Sequence, residues 1–261
     1  MRACLGISRF RPNDKTMKSL AKKVIDATRE LSDAVSALTF SDPVAYVYNP
    51  LDYARETHEA FLKRYAANKK RVIFIGMNPG PFGMAQTGVP FGEIDAVQNW
   101  LGIFGFVGNP PREHPAKPVE GFACKRSEVS GRRLWGLFKE RFVTPERFFE
   151  EHFVTNFCPL LFTADNPRGK NLTPEDLVPA ERNAVLAPCD AFLRKLTELL
   201  EPEWLVGVGA FAQKAAMRAC DGLPVKYSTV IHPSPASPLA NKGWAENASG
   251  ALVRNGIWQA D

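Results

Sequence analysis

The feature that most constrains the fold is a short apolar segment that ends at a stiff polar turn. Residues 71–76 have the sequence RVIFIG, and the turn Asn-Pro-Gly-Pro follows at 78–81. A β-branched apolar run bounded by Pro and Gly is typical of a strand buried on both faces of a parallel sheet. The next segment, FGMAQTGVPFGE, remains apolar although loops normally face water. We therefore expect this loop to line a pocket or to pack beneath another segment.

Three further segments resemble this strand and alternate with helical patterns. We predict strands over 151–160, 203–209 and 225–235. We predict helices over 17–38, 52–67, 94–104, 129–142 (with Ser130 as N-cap), 181–200, from the third strand to about 220, and 238–255. The stretch 105–130, rich in Pro, Gly and basic residues, is predicted to be a long irregular loop. The alternation favours an α/β fold with a mainly parallel sheet. Without repeats or a clear boundary, we predict a single domain over 1–261, with a helical N-terminal extension of about 1–40.

Composition excludes several classes of protein. The chain of 261 residues is 45% hydrophobic and 23% charged, which is ordinary for a globular protein. It has no apolar run long enough to span a membrane and no secretory leader pattern, so we expect no membrane association. Five scattered cysteines and four histidines without metal-ligand spacing predict reduced thiols, an intracellular location, no metal and no cofactor. The net charge of +5 suits a polyanionic partner only weakly, and from charge alone the basic residues are a solvated surface.

Polar residues follow three of the four predicted strands. These are Asn78, Asn156 and His232. Ligands of open α/β sheets bind outside the carboxyl ends of the strands, so the three side chains are expected to converge on one crevice. Each has a plain alternative explanation on its own, as a turn residue, a buried amide or a strand-end histidine. Their shared position makes three independent coincidences less probable. No phosphate-binding loop and no G-x-S-x-G nucleophile motif is present.

Two long motifs carry a family resemblance. The segments GMNPGPFGMAQTGVPFGE (76–93) and HPSPASPLANKGW (232–244), with TNFCPLLF and VSGRRLWGLF between them, resemble the single-strand-selective monofunctional uracil-DNA glycosylases. The resemblance covers roughly 40–255 and implies a three-layer α/β/α domain with a central four-stranded, mainly parallel sheet. It implies hydrolytic removal of flipped uracil and of oxidised or deaminated bases (5-hydroxymethyluracil and xanthine) from DNA in base excision repair, without lyase activity. It further implies a monomer acting on single- and double-stranded DNA, cytoplasmic in a bacterium and nuclear in a eukaryote.

The resemblance also implies roles for individual residues. Asn78 would hold the water that attacks C1′, and His232 would donate a hydrogen bond to uracil O2 as negative charge develops there. Asn156 would read the base edge by donating to O4 and accepting from N3–H. Phe91 would stack on the flipped base. The wall of the slot near C5 would be formed by Gly80, Pro81, Phe82, Gly83 and Met84, and Met77 would also line the pocket.

The last motif would supply the wedge that enters the DNA. Its residues are Pro233, Ser234, Pro235, Ala236, Ser237, Pro238, Leu239 and Lys242. Vertebrate-like members of the family carry an Arg where this chain has Ala236. A methyl group cannot fill a vacated base position as Arg does, so Leu239 or Lys242 would have to compensate.

Two other interpretations remain open from the sequence. An amide cannot take a proton from water, so Asn78 is a weak catalyst, which leaves room for a nucleic-acid-binding protein without catalysis. An unrelated α/β hydrolase or nucleotide-binding module is the third interpretation. The missing phosphate-binding and nucleophile motifs disfavour it.

Overall fold

A four-stranded parallel sheet forms the centre of the protein in the computed structural model, which describes residues 14–260. The strands of this sheet lie in the order β3-β2-β6-β7, and their bounds are β2 (Val72–Gly76), β3 (His152–Asn156), β6 (Trp204–Val208) and β7 (Lys226–Val230). A smaller antiparallel sheet has the order β1-β4-β5, with bounds β1 (Tyr46–Tyr48), β4 (Leu161–Thr163) and β5 (Asn171–Leu172). The predicted α/β fold with a four-stranded parallel sheet is therefore confirmed.

Helices cover both faces of the large sheet. Their bounds are α1 (Asp14–Ser36), α2 (Pro50–Tyr53), α3 (Arg55–Tyr65), α4 (Met84–Thr87), α5 (Val129–Phe142), α6 (Pro145–Glu151), α7 (Pro179–Leu200), α8 (Ala210–Ala219) and α9 (Trp244–Arg254). The β2–β3 connection runs in the opposite direction from the β3–β6 and β6–β7 connections. Right-handed crossovers therefore put α5 and α6 on one face and α7 and α8 on the other. Helix α9 packs against α5 and α1 against α7, which completes the three layers.

Strand β2 is the centre of the core, and its sequence explains why. All five of its residues are buried, as expected for a strand with a neighbour on each side and helices above and below. It pairs in parallel with β3 so that Gly76 lies opposite Asn156. Backbone bonds continue this pairing past the strand end, from Phe157 N to Gly76 O (2.8 Å) and from Cys158 N to Met77 O (2.9 Å). The chains that follow β2 and β3 therefore leave the sheet side by side.

The structure differs from the predicted elements in several places. The helix predicted over 52–67 is two helices, because Asn49 caps α2 through its side chain and Pro50 begins it, while α3 begins after Ala54. The helix predicted over 94–104 is a single π-helical turn at Ala96–Trp100. The Ser130 N-cap is wrong, since Ser130 lies inside α5 and Glu128 occupies the capping position.

Other differences concern strands and loops. Strand β7 ends at Val230, so His232 lies just beyond it. The small sheet was not predicted because strands of two or three residues are too short to show alternation. The predicted N-terminal extension lies partly outside the described residues, and α1 accounts for the part that is described. No helix within 14–260 is long and apolar enough to cross a bilayer.

Candidate active site

A cavity of about 450 Å³ opens at the carboxyl ends of the parallel strands. It falls within the usual range for small-molecule sites. Asn78, Asn156 and His232 all line it, although they come from the carboxyl ends of three different strands. Of the other residues predicted for the site, the cavity is lined by Met77, Gly80, Pro81, Phe82, Phe91, Ser234 and Pro235. The convergence expected from the strand ends is therefore present.

The side chain of Asn78 is held in one orientation. Its Nδ2 atom donates to the carbonyl oxygen of Leu160 at 3.2 Å and lies 3.5 Å from that of Leu172. Both carbonyls belong to the region of the small sheet, which packs beside the cavity. With the nitrogen turned toward the protein, the Oδ1 atom is the side of the amide that remains available to accept a hydrogen bond.

The imidazole of His232 is neutral and has a defined tautomer. Burial lowers its pKa below the ordinary value, so the ring is uncharged at pH 7. Its Nδ1 atom accepts a hydrogen bond from the backbone N–H of Ser234 at 3.1 Å. An accepting Nδ1 requires the proton on Nε2, so the other edge of the ring is a hydrogen-bond donor.

Phe91 and Asn156 pack directly on the backbone of Gly76. A Cβ atom on Gly76 would lie 2.3 Å from Asn156 Oδ1 and 2.6 Å from the Phe91 ring, distances that real side chains do not adopt. Phe91 itself has a φ of 52°, which is uncommon for a non-glycine residue. Its carbonyl oxygen accepts from Trp135 Nε1 at 3.0 Å and from the backbone of Glu93 at 2.7 Å. These bonds hold the aromatic ring against the amide at the floor of the slot.

Gly83 and Met84 differ from the rest of the predicted wall, because neither lines the cavity. Met84 is 2% exposed, and its sulfur lies 3.2 Å from Asn156 Nδ2. It therefore contacts the amide from behind and orients it. The helix α4, which begins at Met84, turns this part of the loop away from the cavity.

Glu128 occupies the place where the wall near Gly80 and Gly83 was expected. Its carboxyl oxygens would lie 1.7 Å from a Cβ on Gly80 and 2.2 Å from one on Gly83, so a side chain at either position would displace the carboxyl group. Burial and the charge of Glu93 raise the pKa of Glu128 to about 7. A hydrogen bond from the backbone N–H of Gly131 opposes this shift but is the smaller effect. Sequence reasoning missed this residue, since an isolated acid in a basic loop carries no motif. It is an acidic residue that lines the cavity.

The loop after His232 is tied down from several sides. Arg133 donates to the carbonyl of Pro233 at 2.8 Å and to Asn241 Oδ1 at 2.9 Å. Asn241 in turn donates to the carbonyl of Pro235 at 2.8 Å. Ser234 and Pro235 line the cavity, whereas Pro233, Ala236, Ser237, Pro238, Leu239 and Lys242 lie outside it. Leu239 is 61% exposed. Within the described chain, no group of three or more His, Cys, Asp or Glu residues is arranged to hold a metal ion.

A family model matches a range that contains the whole four-stranded sheet and every residue lining the cavity. The model describes the uracil DNA glycosylase superfamily and matches residues 62–249. The solved structure of wild-type SMUG2 from Pedobacter heparinus is similar in fold, with a TM-score of 0.65 over 91% of this chain and 97% of that one. Its sequence is only 20% identical, so this likeness supports the fold alone. The fold and the sequence match place the chain in the uracil DNA glycosylase superfamily.

Mammalian relatives narrow the assignment. The single-strand selective monofunctional uracil-DNA glycosylase of Rattus norvegicus is 49% identical over 92% of this chain and 86% of its own length. Those of Mus musculus and Bos taurus are 48% and 47% identical over the same share of this chain. The chain therefore belongs to the single-strand selective monofunctional uracil-DNA glycosylase family.

Proposed function

We propose that the protein is a monofunctional glycosylase that removes uracil from DNA by hydrolysis of the N-glycosyl bond. The relatives at 47–49% identity are named for this activity. The observation that carries the proposal is that a fixed amide, a neutral donor imidazole and an aromatic ring line one cavity. A base must leave the helical stack to enter such a cavity.

Asn78 and His232 are the proposed catalytic residues. With Nδ2 bound to the Leu160 carbonyl, Asn78 presents Oδ1 to the water that attacks C1′. An amide orients this water but does not remove its proton, so catalysis depends chiefly on stabilising the departing base. His232 does this from Nε2–H, which donates to uracil O2 as that atom gains negative charge. No amine nucleophile takes part, and the strand is left intact at an abasic site.

Asn156 and Phe91 are proposed to select the base. Phe91 stacks on the flipped ring, and Asn156 donates to O4 while accepting from N3–H. Cytosine presents an amino group and a bare nitrogen at these positions, so an amide in a fixed orientation rejects it. The contact with Met84 and the close packing on Gly76 are what keep this orientation fixed.

The substrate range is proposed to include 5-hydroxymethyluracil and xanthine. The support for 5-hydroxymethyluracil is Glu128, whose carboxyl group lies against Gly80 and Gly83 on the side assigned to C5. A carboxyl group there offers a hydrogen bond to a hydroxymethyl substituent, whereas the methyl group of thymine gains nothing from it. The support for xanthine is the volume of the cavity, about 450 Å³.

The test is base release from oligonucleotides in the presence of a chelator. Matched single- and double-stranded substrates carry one uracil, 5-hydroxymethyluracil, xanthine or thymine. We expect cleavage only after alkali for the first three, and none for thymine. Binding without release of any base would instead favour the non-catalytic nucleic-acid-binding protein. Loss of activity in chelator would indicate a metal-dependent hydrolase.

A further inference from the structure

Two cations converge on one aromatic ring at the edge of the cavity. The guanidinium carbon of Arg126 lies 3.6 Å from the centroid of Phe82, and the Nζ of Lys117 lies 4.8 Å from it. Phe82 and Lys117 both line the cavity. The ring favours each cation, but it does not neutralise two of them.

No carboxylate of the described residues pairs with either cation. Other arginines of the chain have acidic partners, as Arg71 has with Glu151 and Arg218 with Asp190. Burial lowers the pKa of Lys117, and the like charge of Arg126 lowers it further. Two adjacent cations without a counter-charge are unfavourable unless an anion joins them, which is typical of a phosphate site.

The backbone around these residues is rigid. The backbone N–H of Lys117 donates to the carbonyl of His114 at 2.8 Å. The backbone carbonyl of Lys117 accepts from the hydroxyl of Tyr48 at 3.0 Å. The buried Gln86 joins the two loops, because its Nε2 donates to the carbonyls of Pro81 (2.8 Å) and Pro118 (2.9 Å). The positions of Phe82 and Lys117 are therefore fixed relative to each other before any ligand binds.

We propose that Lys117 and Arg126, held over Phe82, bind a phosphodiester group of the substrate strand next to the flipped nucleotide. The inference rests on the proposed function, which puts the base in the cavity and so carries its strand across the cavity mouth. Arg126 supplies a forked donor and Lys117 a point charge. Such a contact fixes the position of the strand and carries no sequence information.

The test measures binding as well as turnover. The ligand is a single-stranded oligonucleotide with one uncleavable uracil nucleotide, made in versions that replace one flanking phosphodiester at a time by an uncharged methylphosphonate. The variants are Lys117→Gln, Arg126→Gln and both together, with Lys195→Gln as the control. Lys195 is exposed on α7. It lies toward the helix end at Leu200, which contacts the chain at the amino ends of the strands, whereas the cavity lies at their carboxyl ends.

We expect each single variant to weaken binding about tenfold at low salt. The slope of log K against log salt should fall in magnitude by about 0.7 in the double variant, which loses its one phosphate contact, and should not change in the control. One methylphosphonate position should weaken the wild type by a similar factor and leave the double variant unaffected. Equal effects of every methylphosphonate on wild type and double variant would overturn the proposal. If the wild type failed to release uracil, the proposed function would be refuted. The binding measurements would still test the phosphate contact, because they do not depend on turnover.

Discussion

The change Gly76→Ala tests whether Phe91 and Asn156 act as one base-selecting unit. A methyl group at this position would lie 2.3 Å from Asn156 Oδ1 and 2.6 and 2.7 Å from two ring atoms of Phe91. Ordinary contact begins at 3.4 Å, so both side chains must move by about 1 Å. The backbone of Gly76 cannot yield instead, because it pairs with β3 on one side and follows the residues that pair with β6 on the other.

The expected effect on activity exceeds the effect on folding. A misplacement of about 1 Å at a reacting centre costs on the order of 10²-fold in rate. Overpacking of a well-packed core costs about 1–3 kcal/mol, which for a chain of this size lowers the melting temperature by roughly 2–4 °C per kcal/mol. We therefore expect a folded enzyme with single-turnover uracil release reduced about 100-fold and with weaker discrimination between uracil and cytosine.

The assay compares Gly76→Ala with Gly136→Ala under single-turnover conditions, with thermal unfolding of both. Gly136 lies in the exposed part of α5, where an added methyl group meets nothing within 4 Å. The control should keep the wild-type rate and gain about 0.5–1 kcal/mol of stability from helix propensity. If a folded Gly76→Ala protein kept the wild-type rate and base choice, Phe91 and Asn156 would have moved without any effect on activity. That result would refute their role as one base-selecting unit.

Three further outcomes are expected. The folded state raises the pKa of Glu128 to about 7, above the value of about 4.3 expected in the unfolded chain. Between these two pH values the native protein therefore binds a proton that the unfolded chain does not. Its stability falls as the pH rises through that window. Glu128→Gln should therefore gain stability relative to wild type across the window, by at most about 4 kcal/mol above pH 7, and a pH-independent difference in melting temperature would contradict this. Asn156→Asp removes the donor to O4 and should slow uracil release by roughly 10–100-fold with altered base choice, so an intact uracil preference would remove Asn156 from recognition. Ala236→Arg should raise the rate on double-stranded relative to single-stranded uracil substrate, since Ala236 lies exposed in the wedge loop, and an unchanged ratio of rates would refute the wedge assignment.

The strand-end residues show how far sequence reasoning reached. Strand β2 is recognisable because five apolar residues stand before an Asn-Pro-Gly turn, and Asn78, Asn156 and His232 follow from the rule that ligands meet the carboxyl edge of a parallel sheet. These are local patterns combined with one general property of the fold. Parallel pairing of β2 with β3 then brings residues 78 and 156 together without any further information from the sequence.

The remaining parts of the site depend on contacts between distant segments. Glu128 meets Gly80 and Gly83 although it lies more than forty residues later in the chain, and nothing in its neighbourhood in the sequence indicates that contact. Met84 was assigned to the wall from the family resemblance, yet it begins the short helix α4 and contacts Asn156 outside the cavity lining. The pair formed by Lys117 and Arg126 was taken for solvated surface, since only the folded chain brings both onto Phe82.

The account depends most on His232 acting as a neutral donor beside a water held by Asn78. The direct measurement is single-turnover release of free uracil from a single-stranded oligonucleotide by wild type, His232→Ala and Asn78→Ala, with the folded state of each checked by thermal unfolding. The account requires free uracil and an alkali-labile site with wild type, a rate lower by about 10²–10³-fold in His232→Ala, and a loss of at least about 10²-fold in Asn78→Ala. Wild-type release by either folded variant, or no release by the wild type, would contradict it.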